Sequence, residues 1–325
     1  MKTPVILTII LPFVCLKGFG QSSDATLASI RPEVKEVVSM IAVDNVLKSA
    51  GVGFEAARTA QWDRYETLKE KATSEELNTL TTHKNAVMRC YAFQAMAARK
   101  DANVFPILLH HLSDDEKVKT FQGCIQDSQK AGDYFIDVAS LSREQKVFLD
   151  SVLIFDNAVK VDKKEQLLLH LKPQVRLYNR VREIARKTDK PEAVVALARY
   201  QNKDDVDVIK KLFVGKDQEY YAAYAAREFP HAVFYPCLTA MFEREWKEKY
   251  YDYPKWRLLY QALAKYPRAS TYKLFERTSQ TKSAFRRQTL GTYLLLAIQR
   301  YPNPVFAPLK GQIRLDRSHL EELAQ

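Results

Sequence analysis

Glycine is scarce in this chain, 9 residues in 325. That is too little for a loop-rich or all-β architecture, and the glycines are not arranged as a phosphate-cradling loop. Gly-x-Ser-x-Gly, His-Glu-x-x-His and Cys-x-x-Cys are all missing, which removes the established signatures of hydrolase, zinc-peptidase and dithiol chemistry. No cofactor motif is found, and no cofactor or metal is expected. Long apolar runs are absent beyond Val5 to Leu16, a stretch shorter than the ~20 residues of a membrane span. Asn-x-Ser/Thr does not occur, which favours a bacterial envelope over a eukaryotic secretory route.

The composition that remains is 46% hydrophobic and 27% charged, that of a globular, helix-rich protein with a sizeable core. Met1-Lys2, the apolar run to Leu16 and the small-x-small triplet Gly18-Phe19-Gly20 read as an export signal cleaved before Gln21; an uncleaved anchor is the alternative. Removing Lys2 and Lys17 lowers the net charge from +11 to +9. The mature chain stays basic, which suits acidic partners or a solubilising surface. Cys90, Cys124 and Cys237 are left after cleavage. The 34-residue spacing of Cys90 and Cys124 is about one repeat, so two readings stand: a bridge between adjacent helical layers, or three buried thiols.

A short motif recurs four times. Aligned on Tyr200, Phe229, Tyr266 and Tyr301, each copy has alanine four residues earlier (Ala196, Ala225, Ala262, Ala297), and three have proline immediately after. The copies lie 29, 37 and 35 residues apart, a period that suits two-helix units. Alanine lets helices approach closely, the aromatic fills the space at the helix end, and proline stops one helix and starts the next. Ile209, Leu238, Leu274 and Leu309 follow in the second helix and should face the first.

On these residues the chain resembles the HEAT-like class of helical repeats, over Asn85 to Leu112 and Gln174 to Ile313. The resemblance implies an all-α, α-α superhelix of the HEAT/armadillo-like solenoid kind, whose members use their surfaces for binding and carry no shared catalytic residue. The expected organisation is a signal peptide over 1–20, an N-terminal helical cap over 21–82, and a repeat array over 83–325 with an irregular insertion at about 127–172. In the cap, a helix is expected from Ser29 to Ala50, a second from Gly53 to Lys71, and a short one from the capping box Thr73-Ser74-Glu75-Glu76. A similar box at Ser113-Asp114-Asp115-Glu116 predicts a helix carrying Cys124. Gly132 to Phe135 reads as an irregular link, Ser142 caps a helix through Phe155, and Asp316 to Ala324 reads as a polar terminal helix.

Two clusters have the residue types of chemistry without its spacing. His110-His111 with Asp114 and Asp115 could suit a metal, but adjacent helical residues point apart. Glu243 and Glu245 diverge for the same reason. The strongest bias is elsewhere: 12 of the 17 tyrosines lie between Tyr220 and Tyr301, with 14 Lys/Arg against 6 Asp/Glu. The candidate binding surface is Tyr250, Tyr251, Tyr253, Lys255, Trp256, Arg257, Arg268, Lys273, Arg286 and Arg287, with Tyr250 to Pro254 as an exposed loop. The sequence therefore points to an exported, non-enzymatic binding or scaffold protein of the cell envelope, periplasmic or secreted. Its expected partner is a protein or an anionic envelope polymer, and an export signal argues against nucleic acid. An envelope enzyme acting on glycans or peptides, with acidic groups converging from separate helices, is the alternative.

Overall fold

The computed structural model describes residues 28–99, 103–215, 217–248 and 250–315. The expected export signal and the terminal helix at Asp316 to Ala324 lie outside them. Among the described residues no helix is long and apolar enough to cross a membrane. The chain is mostly helical, and it divides into two compact units, Met1–Leu141 and Ser142–Gln325. The division falls within the irregular stretch at about 127–172.

The first unit is not all-α: among the described residues it has six helices and a three-stranded sheet. Helix α1 (Pro32–Asp44) buries Val34, Val37, Val38 and Ile41, the stripe its periodicity predicts. It stops short of the expected Ala50, because Asn45 turns left-handed (φ 51°) and returns its N–H to the Ile41 carbonyl. The chain then extends as β1 (Leu47–Val52). Helix α2 (Ala60–Lys71) starts at a Thr59 cap, later than Gly53, which has a φ of 75°. Thr73 and Glu76 form the expected capping box of α3 (Ser74–Leu80), and α4 (Ala86–Arg99) is buried along most of its length. After α5 (Phe105–His110) come β2 (Lys117–Gly123), β3 (Ile125–Lys130) and α6 (Ala131–Val138).

Two expectations fail here. The residues after Ser113 start no helix, because both carboxylates are committed to Arg89: Asp114 accepts from its Nε and Nη2 at 2.8 and 2.9 Å, and Glu116 from Nη2 at 2.9 Å. The chain instead forms a hairpin, with β2 antiparallel to β3 and parallel to β1. Gly132 to Phe135 is helical rather than irregular. Cys124 is therefore exposed at the hairpin turn, Cys90 is buried in α4, and no bridge joins them; Cys237 is also a free thiol.

The second unit is helix on helix. After α7 (Arg143–Phe155), closed by the expected Ser142–Gln145 capping box, come α8 (Lys163–His170) and α9 (Tyr178–Lys187). The four motif copies follow as α10 (Pro191–Ala198), α12 (Glu219–Glu228), α14 (Tyr253–Ala264) and α16 (Ala284–Arg300). Each is followed by a second helix: α11 (Val206–Lys210), α13 (Tyr235–Lys247), α15 (Ala269–Gln280) and α17 (Leu309–Gln312), with α13 packing on α14 and α15 on α16. The first helices pack in a row, α8 on α10, α10 on α12, α12 on α14 and α14 on α16.

The motif behaves as its chemistry predicts. Ala196, Ala225, Ala262 and Ala297 are all at most 1% exposed, which is what lets the row close up. Their carbonyls accept the closing amide of each helix, from Arg199, Phe229, Lys265 and Tyr301. Two residues after each aromatic a new N-cap begins, at Asn202, His231, Arg268 and Asn303. In three copies a 3₁₀ turn follows, and Ile209, Leu238 and Leu309 are fully buried. The third copy enters α15 directly. Leu274, eight residues after Tyr266, is only half-buried there, and Phe275, nine after it as Ile209 and Leu238 are nine after Tyr200 and Phe229, takes the core position. Tyrosine hydroxyls tie neighbouring pairs together: Tyr200 donates to the Gln174 carbonyl at 3.0 Å and Tyr266 to that of His231 at 2.9 Å. Gln174 caps the turn of the α8–α9 pair, so the stacking starts before the first copy visible in the sequence.

Candidate anion-binding concavity

A concavity of about 540 Å³ opens along the row of first helices. Helix α8 contributes Leu169 and His170; α12 gives Tyr220, Tyr224 and Arg227; α14 gives Tyr253, Pro254, Arg257, Leu258 and Gln261; α16 gives Tyr293 and Arg300. The spacings within each helix, such as 220, 224 and 227, are those of a single helical face, so the site is one stripe from each helix laid side by side. The small alanines on the packed faces bring those stripes close enough to share a ligand.

Three arginines and four tyrosines line this concavity, and no carboxylate does. Arg227 is fixed: its Nη1 donates to Gln261 Oε1 at 2.6 Å, it pairs with Glu228 at 2.6 Å, and its guanidinium lies 4.3 Å from the Tyr224 ring centre. Burial works to lower its pKa, but the Glu228 bond and charge outweigh this and raise it. Arg199 donates to the Tyr224 hydroxyl at 3.2 Å. Tyr224 is thus held by two arginines, with Tyr220 edge-on at 6.3 Å and Tyr253 likewise against Tyr293 at 6.5 Å. Arg257 and Arg300 are exposed, and among the described residues neither forms an ion pair. Their donors are available to an incoming anion.

Of the ten residues expected from the sequence, Tyr253 and Arg257 line this site. The others are distributed differently. Trp256 is fully buried, packed edge-on to Phe242 at 5.2 Å, so it is core and not surface. Lys255 bridges Glu245 at 2.7 Å and Glu219 at 3.0 Å. Burial pushes Glu245 up against the pull of Lys255; burial also works to raise Glu219, but Arg244 and Lys255 hold it below the ordinary range. Arg286 lies over the Trp246 and Tyr251 rings and donates to the Trp246 and Glu248 carbonyls, and Arg287 donates to that of Thr281. Tyr250 is exposed, whereas Tyr251 is half-buried and Asp252 caps α14. Arg268 and Lys273 are exposed, with Arg268 lying over Tyr235 at 4.5 Å.

Sequence reasoning missed His170, Tyr220, Tyr224, Arg227, Gln261, Tyr293 and Arg300. A signal for part of this was present: every motif copy has a basic residue within two positions before its aromatic (Arg199, Arg227, Lys265, Arg300). Elsewhere, Glu243 pairs with Arg277 at 2.6 Å, away from the Glu245–Lys255 bridge. His111 is buried with Nδ1 3.5 Å from Asp114, and its ring is nearly perpendicular to that of His110. Among the described residues no group of three His, Cys, Asp or Glu is placed to hold a metal ion. Compared with protein-family models, curated proteins and solved structures, the chain has no significant match.

Proposed function

We infer that the chain is an exported, non-enzymatic binding protein of the cell envelope, in which a HEAT-like superhelix of helix pairs presents the arginine–tyrosine concavity to an anionic polymer. The observation that carries this reading is the convergence of Arg227, Arg257 and Arg300 with four tyrosines from three helices, and no carboxylate, on one concave surface. Guanidinium groups bind carboxylate or phosphate through paired hydrogen bonds, and tyrosine faces hold the flat or apolar parts of a repeating chain. Hydrolysis of a glycan ordinarily needs two carboxyl groups flanking the bond, and this surface supplies neither.

Labelled polygalacturonate, titrated against the full chain by fluorescence anisotropy, tests the reading. Binding should weaken about tenfold or more from 50 to 200 mM salt, as released counterions require. Arg257→Glu with Arg300→Glu should weaken it about 100-fold, the loss of two charge-assisted hydrogen bonds. Equal affinity of the double variant, or affinity indifferent to salt, would remove the assignment.

A further inference from the structure

The first unit holds a larger cavity, about 670 Å³, within the range of roughly 300–1,000 Å³ that small-molecule sites occupy. Its floor is one face of the sheet. Thr120 on β2 is registered with Leu47 on β1 and Asp127 on β3, and two residues along β2 Gln122 faces Ile125. Side chains alternate along a strand, so these residues point to the same side. The walls are helical: Trp62 from α2, Gln94 from α4, and Tyr134 and Asp137 from α6.

This surface is held in place from behind. The Tyr91 hydroxyl on α4 accepts from the Lys48 amide at 2.7 Å and donates to the Lys48 carbonyl at 3.2 Å, fixing β1 against the helix. Tyr91 stacks on Tyr65 at 5.1 Å, and Tyr65 backs the Trp62 ring at 4.8 Å. Tyr134 donates to Gln94 Oε1 at 2.8 Å, so the part of that amide left to the cavity is its NH₂, a double donor. Thr120, on the middle strand, is 8% exposed and lines the cavity. Its hydroxyl can both donate and accept a hydrogen bond.

The chemistry of the lining selects the ligand. The charged residues of the lining are Asp127, Asp137 and Lys48, and the Lys48 ammonium is paired with Asp44 at 2.9 Å. An anion meets no unpaired cation among the lining residues. Amides and carboxylates in alternation with hydroxyls match a ligand dense in hydroxyl groups, while Trp62 and Tyr134 offer rings against which the C–H face of a sugar packs. We propose that this cavity is a binding site for a neutral saccharide of two or three rings, with Thr120 and Gln94 as hydrogen-bonding groups and Trp62 as the stacking wall.

The test titrates the full chain with maltose, cellobiose, lactose and N,N′-diacetylchitobiose, reading heat by calorimetry and intrinsic tryptophan fluorescence. At least one should saturate. Thr120→Val keeps a β-branched residue in the strand and removes only the hydroxyl, and should weaken that binding about tenfold or more. Gln122→Ala, a change at an exposed strand position, should weaken it by a smaller factor, and Lys187→Gln, an exposed change in the other unit and outside both concavities, should leave it unchanged. Failure of all four sugars to saturate by ~50 mM, unaltered affinity in a folded Thr120→Val variant, or tighter binding of digalacturonate than of any neutral sugar would each overturn the proposal.

Discussion

The two units each carry a ligand-sized concavity, built by different routes and lined by opposite chemistry. In the helical unit a row of similar helices contributes long side chains, and the lining is arginine and tyrosine without a carboxylate. In the sheet-bearing unit a three-stranded floor contributes short hydroxyl, amide and carboxylate groups, with aromatic walls from separate helices. Two arginines repeat the contrast. Arg89 in the first unit answers two carboxylates and the His83 and Lys84 carbonyls, whereas Arg199 in the second lies over Tyr224 and reaches the ends of α8. The lesson is that a repeat positions groups by copying one local contact, while the sheet unit depends on single contacts between distant parts of the chain.

The largest effect should come from one of those single contacts. Arg89→Met leaves Asp114, whose side chain is mostly covered, without its arginine and should cost about 3 kcal/mol, read as a lower denaturant midpoint. Replacing Asp114 by Leu as well should recover part of the loss. A loss under ~1 kcal/mol would mean that the sheet unit does not hang on this ion pair. In the repeat, Ala225→Leu forces bulk between rows where the alanine is fully buried, and should cost about 1–3 kcal/mol. Hydrogen exchange should show the loss in α12 and its neighbours, and unchanged protection there would refute close packing as the function of the motif alanines.

Acid should act next, and through the sheet unit. Hydrogen bonding to Arg31 holds the Glu76 carboxyl down to about 2, from 4.5. A depressed carboxylate adds stability that is present above its unfolded pKa and lost as pH falls from about 4.5 toward 2. With half-exposed Arg31 screened by water, the contribution of Glu76 is about 1 kcal/mol or less. Glu76→Gln should flatten the pH dependence of the unfolding midpoint in that window; an identical slope would contradict the assignment. An effect of similar size belongs to a cap: Ser142→Ala should cost about 1 kcal/mol and shorten the protection of the first turn of α7.

Legibility in the sequence followed the same divide. The four alanines, the Thr73 and Ser142 boxes and the helix pairs after Gln174 could be read because each is a contact between residues a few positions apart. The sheet could not be read that way. Strand β1 is paired with β2 across some seventy residues, its Leu47 continued the stripe of α1, and β3 is polar on both faces. One local signal was overlooked. Gly123-Cys124 closes a two-residue hairpin with Gly123 at a φ of 53°, between strands that alternate, but the acidic run before it read more strongly as a helix start. The concavity of the second unit was half legible: its composition was visible, but which rings turn inward depends on helix register, and Trp256 turned into the core.

The hairpin turn also gives the molecule a chemical handle. Cys124 is exposed between Gln122 and Ile125, two residues that line the sheet cavity, whereas Cys90 is sealed in α4 and Cys237 is partly covered. Alkylating reagents should discriminate among the three by access alone. A fluorophore attached at Cys124 would stand on the lip of the cavity, turning an accident of turn sequence into an optical reporter of whatever occupies the floor beneath it.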